Sequence, residues 1–277
     1  MIRQTIRAAH SPDSDDAFMF YALAQKKIDT GPFEFVDELS DIETLNQAAR
    51  AGKYEITALS IHGYAYVADR YALLNSGASM GEGYGPMVVA REAIPLTRLP
   101  DLLVAVPGER TSAFLALKIV EPRIRYTVIP FDRILEAVQG GQVDAGLIIH
   151  EGQLTYQNHE LKKVIDLGEW WMKETGLPLP LGGNAIRRDL GPEVIQDLSK
   201  LLEQSIRYAL EHRGEALRYA LGFGRGLDEK QADRFVGMYV NERTLDYGDD
   251  GRKAVQLFLD KGFEAGVIPK KVRVEFV

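Results

Sequence analysis

His150 is the side chain with the strongest claim to chemistry in this sequence. It closes the run Asp144-Ala-Gly-Leu-Ile-Ile-His150 and is followed by Glu151 and Gly152. Leu147, Ile148 and Ile149 form the apolar stretch of a buried parallel strand. Ligands of open α/β sheets collect beyond the carboxyl ends of such strands, where an imidazole serves as a general base. The same residues also suit a histidine that only ends a strand by bonding a carbonyl, so locally both readings stay open. Ser11 and Ser60 end apolar segments in the same manner. Thr111-Ser112 follows Leu102 to Val106 and the turn Pro107-Gly108, and precedes the apolar run Ala113 to Val120. Strand, glycine turn, hydroxyls and helix make an anion cradle, because the first amides of a helix lack carbonyl partners. A carboxylate is the expected guest there, and a plain Thr/Ser cap is the alternative.

These groups need elements to hold them. Ile2 to Ala9 alternates like a strand, Ser11-Pro12-Asp13-Ser14-Asp15-Asp16 breaks the pattern, and Ala17 to Leu23 resumes at helical spacing. Ser14 or Asp15 is the expected helix cap, and an acidic first turn suits the positive end of the helix dipole. Asp13 then reads as a solvated carboxylate, and Asp16 as a rim residue beside Ser11. Three carboxylates this close make the rim a poor place for an anionic group. Phe33 to Leu39 reads as a half-exposed strand, Asp41 to Ala51 as a helix and Ile56 to Ser60 as a buried strand. His62, beside aromatic residues at a helix start, reads as a core histidine. The glycine-rich stretch Asn75 to Pro86 leads into a strand rather than a helix, which argues against a nucleotide loop and for a wall of a cleft. Trp170 and Trp171 read as packing. From Gly191 onward the chain reads as helices over 192–212, 215–221, 229–240 and 250–265 that cover the sheet.

Composition narrows the classes. The chain has 277 residues, 45% of them hydrophobic and 26% charged, with a net charge of -7. That balance suits a soluble globular protein and argues against nucleic acid or an anionic membrane as partner. Zero cysteines exclude thiolate catalysis and disulfides. No stretch approaches the roughly 18 apolar residues of a membrane span, and the N-terminus has no apolar core of a signal peptide, so a cytoplasmic location is expected. His159 and His212 read as surface residues, no histidine pair has metal-ligand spacing, and no bound metal is expected.

The order of Ser11-Pro12, Leu59-Ser60, Gly85-Pro86, Pro107-Gly108 with Thr111-Ser112, Phe131-Asp132-Arg133, Gly146-Leu-Ile-Ile-His150-Glu151 and Thr175-Gly-Leu-Pro-Leu-Pro-Leu-Gly182 resembles the 1,4-dihydroxy-6-naphthoate synthase family of the futalosine route to menaquinone. The likeness runs from about Ile6 to Asn241. It departs at one place: the family pattern Ser-Pro-Cys-Pro-Asn-Asp-Thr-Phe is replaced by Ser11-Pro12-Asp13-Ser14-Asp15-Asp16-Ala17-Phe18. The cadence Asp132 to Gly146 is common among type II periplasmic-binding-protein-like folds. The resemblance implies a two-lobed α/β fold, with residues 1–92 and 183–277 in one lobe, 93–182 in the other and a ligand cleft between them. It implies a lyase without cofactor that acts on a small aromatic carboxylate, with His150 as base. Ser11, Asp16, Ala58, Ser60, Thr111 and Ser112 are the expected substrate-binding residues. A related lyase with a changed substrate, of chorismate-dehydratase type, and a binding protein without catalysis are the competing classes. The sequence leaves homo-oligomerisation open.

Overall fold

The protein was analysed as a computed structural model that describes residues 3–224 and 227–277. Ile2, expected to open the first strand, lies outside them. The chain begins with β1 (Gln4–His10), α1 (Ser14–Ala24), β2 (Phe33–Leu39), α2 (Ile42–Arg50), β3 (Ile56–Ser60), α3 (Ile61–Tyr64), β4 (Tyr71–Leu73) and β5 (Ser79–Gly81). It continues with β6 (Met87–Ala90), β7 (Leu103–Val106), α4 (Ser112–Val120), β8 (Arg125–Val128), α5 (Ile134–Gln139), β9 (Ala145–Ile148), α6 (Gly152–Thr155), β10 (Lys162–Asp166) and α7 (Leu167–Thr175). β11 (Leu179–Arg187) follows, and then α8 (Pro192–Glu211), α9 (Arg213–Leu221), α10 (Glu229–Tyr239), α11 (Glu242–Leu245) and α12 (Gly248–Glu264).

The strands form two sheets. The first has the order β2-β1-β3-β11-β4, with β5 also paired to β11; the second has the order β10-β6-β9-β7-β8. β1 runs parallel to β2 and β3, and β7 runs parallel to β8 and β9. β11 is antiparallel to β3, β4 and β5, and β6 is antiparallel to β9 and β10. β3, β7 and β9, flanked by strands on both sides, are the buried apolar runs, whereas the edge strands β2 and β8 are largely exposed. In the first sheet, one core packs α1 against α8, α9 and α10 through Phe18, Phe20, Leu198, Leu202, Ile206 and Val236. A larger core joins both sheets through Trp171, Phe258, Leu115 and Tyr247. Trp171 is fully buried, donates from Nε1 to the Pro178 carbonyl at 3.1 Å, and meets Phe258 edge-on at 5.3 Å, so it packs as expected.

The expected boundaries need correction at both crossings. The sequence reading sets Met87–Ala90 in the first lobe, but the strand lies between β9 and β10 in the second sheet. Its unbroken apolar run needs neighbours on each side, and those strands supply them. The chain therefore crosses at residues 82–86, and Pro95 caps and Pro100 lies within a 3-10 segment, Leu96–Asp101, that connects two strands of the second sheet. It crosses back before Leu179, since Leu179 already pairs with Gly81 of the first sheet. The first crossing is tightly seated: a Cβ on Gly168 would meet the Tyr84 carbonyl oxygen at 2.0 Å. Tyr84 also donates its hydroxyl to the Met238 carbonyl. Among the described residues no helix is long and apolar enough to cross a membrane.

Candidate active site

Four of the parallel-paired strands lead to one cavity. Ser11 and Asp13 follow β1, Ser60 ends β3, Ile149 and His150 follow β9, and the turn after β7 delivers Thr111 and Ser112; all seven line it. The space free of atoms, including its open mouth, is about 710 Å³, within the range of small-molecule sites. Asp16 and Ala58 line it as well. The expected site residues thus converge, brought there from both sheets.

The acidic loop differs from expectation. Asp13 caps α1, accepting from the Asp16 amide at 3.4 Å, in place of Ser14 or Asp15. Asp13, Ser14, Asp15 and Asp16 are all buried rather than solvated. The physical reason is tertiary: the helix start abuts the segment behind β9, which closes over it. Asp16 accepts from the Ser11 amide at 2.8 Å, fixing the turn. Asp13 Oδ2 lies 2.8 Å from His150 Nδ1, a pair that nothing in one dimension links across positions 13 and 150. The available signal was the departure from the family pattern at Asp13.

His150 is held in an uncommon backbone state, with φ of 54° in the left-handed region. Strain of this kind persists only where surrounding contacts enforce it. The Phe131 ring meets the imidazole edge-on at 4.8 Å, and Asp13 takes Nδ1. With Nδ1–H donated to a carboxylate, the neutral ring carries its lone pair on Nε2, which has no hydrogen-bond partner among the described residues. Burial opposes a charged imidazole, yet the attraction and hydrogen bond of Asp13, helped by Glu151 and Asp16, raise the His150 pKa above its usual value. Burial likewise works against the Asp13 anion, and His150 outweighs it, holding Asp13 at about 2. The neighbouring acids go the other way. Burial and the Asp13 charge push Asp16 up to about 8, and burial with Asp13 and Asp16 pushes Asp15 well above the carboxylate range. Near neutral pH the cluster therefore holds protons as well as charge, which a loop of three solvated carboxylates would not.

The opposite wall is built from donors already at work. Thr111 Oγ1 caps α4, accepting from the Phe114 amide at 3.1 Å and donating to the Gly108 carbonyl at 2.9 Å. Ser112 Oγ donates to the Leu181 carbonyl at 2.6 Å and accepts from the His62 amide at 3.2 Å. Both hydroxyls, expected to face a ligand, are engaged in protein hydrogen bonds. What α4 offers the cavity is its first amides, and those of Ser112 and Ala113 make no backbone hydrogen bond among the described residues. Asn46, absent from the sequence reading, fixes Ser60: its Oδ1 accepts from the Ser60 amide at 3.0 Å and its Nδ2 donates to Ser60 Oγ at 3.2 Å. Gln153 and Tyr239, also unanticipated, line the cavity and share a 2.7 Å hydrogen bond. His62 is buried as expected, with burial pushing its pKa down to about 4. No group of three His, Asp or Glu side chains among the described residues is arranged to hold a metal ion.

Two sheets with their strand ends facing a shared cleft define the architecture of the periplasmic binding proteins. The alkanesulfonate-binding protein of Xanthomonas axonopodis pv. citri, solved with MOPS, superposes with a TM-score of 0.73 over 99% of this chain and 97% of its own, at 14% identity, a likeness of fold alone. Within that architecture the chain belongs to the menaquinone biosynthesis family, whose model matches residues 6–264. A 1,4-dihydroxy-6-naphthoate synthase of Thermus thermophilus is 41% identical over 99% of this chain and 100% of its own length. One of Streptomyces coelicolor is 36% identical over 97% and 96%. A solved protein of Archaeoglobus fulgidus, 46% identical, superposes with a TM-score of 0.92 over 95% of this chain and 98% of its own. The family resemblance read from the sequence is thereby shown.

Proposed function

We propose that the protein is a lyase that converts cyclic dehypoxanthinylfutalosine to 1,4-dihydroxy-6-naphthoate, with His150 as general base and no cofactor. The observation that carries this reading is the His150 imidazole bonded through Nδ1 to Asp13 while Nε2 is left unpaired, in a cavity whose far wall presents the free amides of α4. Nε2 takes a proton from the sugar-derived ring, that ring opens and its carbon fragment departs, and aromatisation of the naphthoate drives the step. The aromatic carboxylate lies at the Ser112 and Ala113 amides and the α4 dipole. The hydroxyl-bearing sugar end lies at Ser11, Asp16 and His150. The reverse orientation would set a carboxylate against Asp13, at a large electrostatic cost.

Incubating the purified protein with cyclic dehypoxanthinylfutalosine and following 1,4-dihydroxy-6-naphthoate by mass and absorbance tests the reading. His150→Asn is the matched control, since Asn tolerates the left-handed backbone at this position. The wild type is expected to form product and the variant to be slower by about 10² to 10⁴. Stabilisation by the compound without product would instead describe a binding protein or a relative with another substrate.

A further inference from the structure

Three contacts cross the cleft at its acidic end, and all of them join one short segment of the second sheet to helices of the first. His150 Nδ1 meets Asp13 at 2.8 Å, Glu151 Oε1 accepts from Ser14 Oγ at 3.4 Å, and Gln153 Oε1 accepts from the Tyr239 hydroxyl at 2.7 Å. Asp13, Ser14, Glu151, Gln153 and Tyr239 are all buried. Asp13 and Ser14 start α1, and Tyr239 ends α10, which packs on α1. Residues 150, 151 and 153 follow β9.

We propose that closure of the cleft assembles the catalytic base: Asp13 is a positioning residue that orients His150 and fixes its Nδ1–H tautomer only when the two sheets are closed, with Gln153 and Tyr239 as the latch. This rests on the reading of His150 as base. From its own sheet His150 receives the edge of the Phe131 ring, whereas its carboxylate partner belongs to the other sheet. Opening the cleft would carry Asp13 away with α1 and leave the ring without the contact that sets its tautomer. The acidic groups that act on the imidazole are Asp13 and Asp16 from the start of α1 and Glu151 from its own segment, with Asp15 hydrogen-bonded to Asp13. Burial together with the Asp13 charge pushes Asp15, Asp16 and Glu151 up, whereas the contact with His150 holds Asp13 low, so Asp13 supplies the anion. A base completed by closure acts only on substrate already shielded from water.

The test uses ¹⁵N-histidine-labelled protein, with His150→Asn to assign the His150 resonances and long-range ¹H–¹⁵N spectra recorded across pH. With 1,4-dihydroxy-6-naphthoate bound, wild-type His150 is expected as the Nδ1–H tautomer. Asp13→Asn is expected to lower its titration midpoint by about one pH unit or more and to cut kcat by about a hundredfold or more, with a smaller change in KM. Tyr239→Phe, which removes the latch without touching Asp13, is expected to give mixed tautomers in the free protein and the single tautomer again with ligand. An unchanged midpoint and tautomer in Asp13→Asn would overturn the dyad. A single tautomer in free Tyr239→Phe, in a protein that small-angle scattering shows to be opened, would overturn its dependence on closure. The spectral changes without turnover by the wild type would keep the dyad and reject the proposed substrate.

Discussion

At the scale of single residues the site is governed by how burial and neighbours divide protons among five groups. In the proposed role His150 accepts a proton only when neutral, and its pKa lies above the usual value. Activity should therefore rise with pH through that raised pKa, and the acid limb of a kcat/KM profile should lie above the midpoint of an ordinary histidine. His62 is the opposite case. Its pKa in the folded protein is about 4, against 6.5 for the unperturbed side chain, so the unfolded chain binds more protons between these values. The stability it contributes is fully present above pH 6.5 and is lost as pH falls towards 4, by about 3 kcal/mol in all. Urea titrations at pH 7 and pH 5 check this: the wild type should lose more stability between them than His62→Gln does.

At the scale of elements, α4 forms part of a cleft wall and α7 packs against the crossing between the sheets. Thr111 caps α4 and also anchors the turn from β7. Thr111→Ala should cost about 1 kcal/mol of stability and, by loosening the amides proposed to bind the substrate carboxylate, should raise KM more than it lowers kcat. Steady-state kinetics beside a denaturation curve separates the two effects. The first turn of α7 is packed against the crossing at Tyr84 with no room for a side chain at Gly168. Gly168→Ala should destabilise by roughly 1–3 kcal/mol through overpacking, read as a lower urea midpoint with an unchanged slope.

At the scale of the molecule, the cavity takes its walls from both sheets, so a ligand that fits it binds the closed arrangement preferentially. Saturating 1,4-dihydroxy-6-naphthoate, at about a hundred times its Kd, should stabilise the protein by about 2.7 kcal/mol, measured by denaturation with and without it. The sequence by itself determined much of this protein. Apolar runs and turn residues marked the strands, and the strand ends marked His150, Ser60 and Ser11, because hydrophobic periodicity and turn chemistry are local properties. The recurring order of those motifs also carried the family. Tertiary structure decided the rest. It moved Met87–Ala90 into the second sheet, because strand pairing depends on which neighbours are in place. It turned the Thr111 and Ser112 hydroxyls inward and set Asn46 behind Ser60. Above all it buried Asp13 and set it against His150. Asp13 looks like a solvated first-turn carboxylate when only its own helix is considered, and its role depends on a side chain from another sheet that only packing brings within reach.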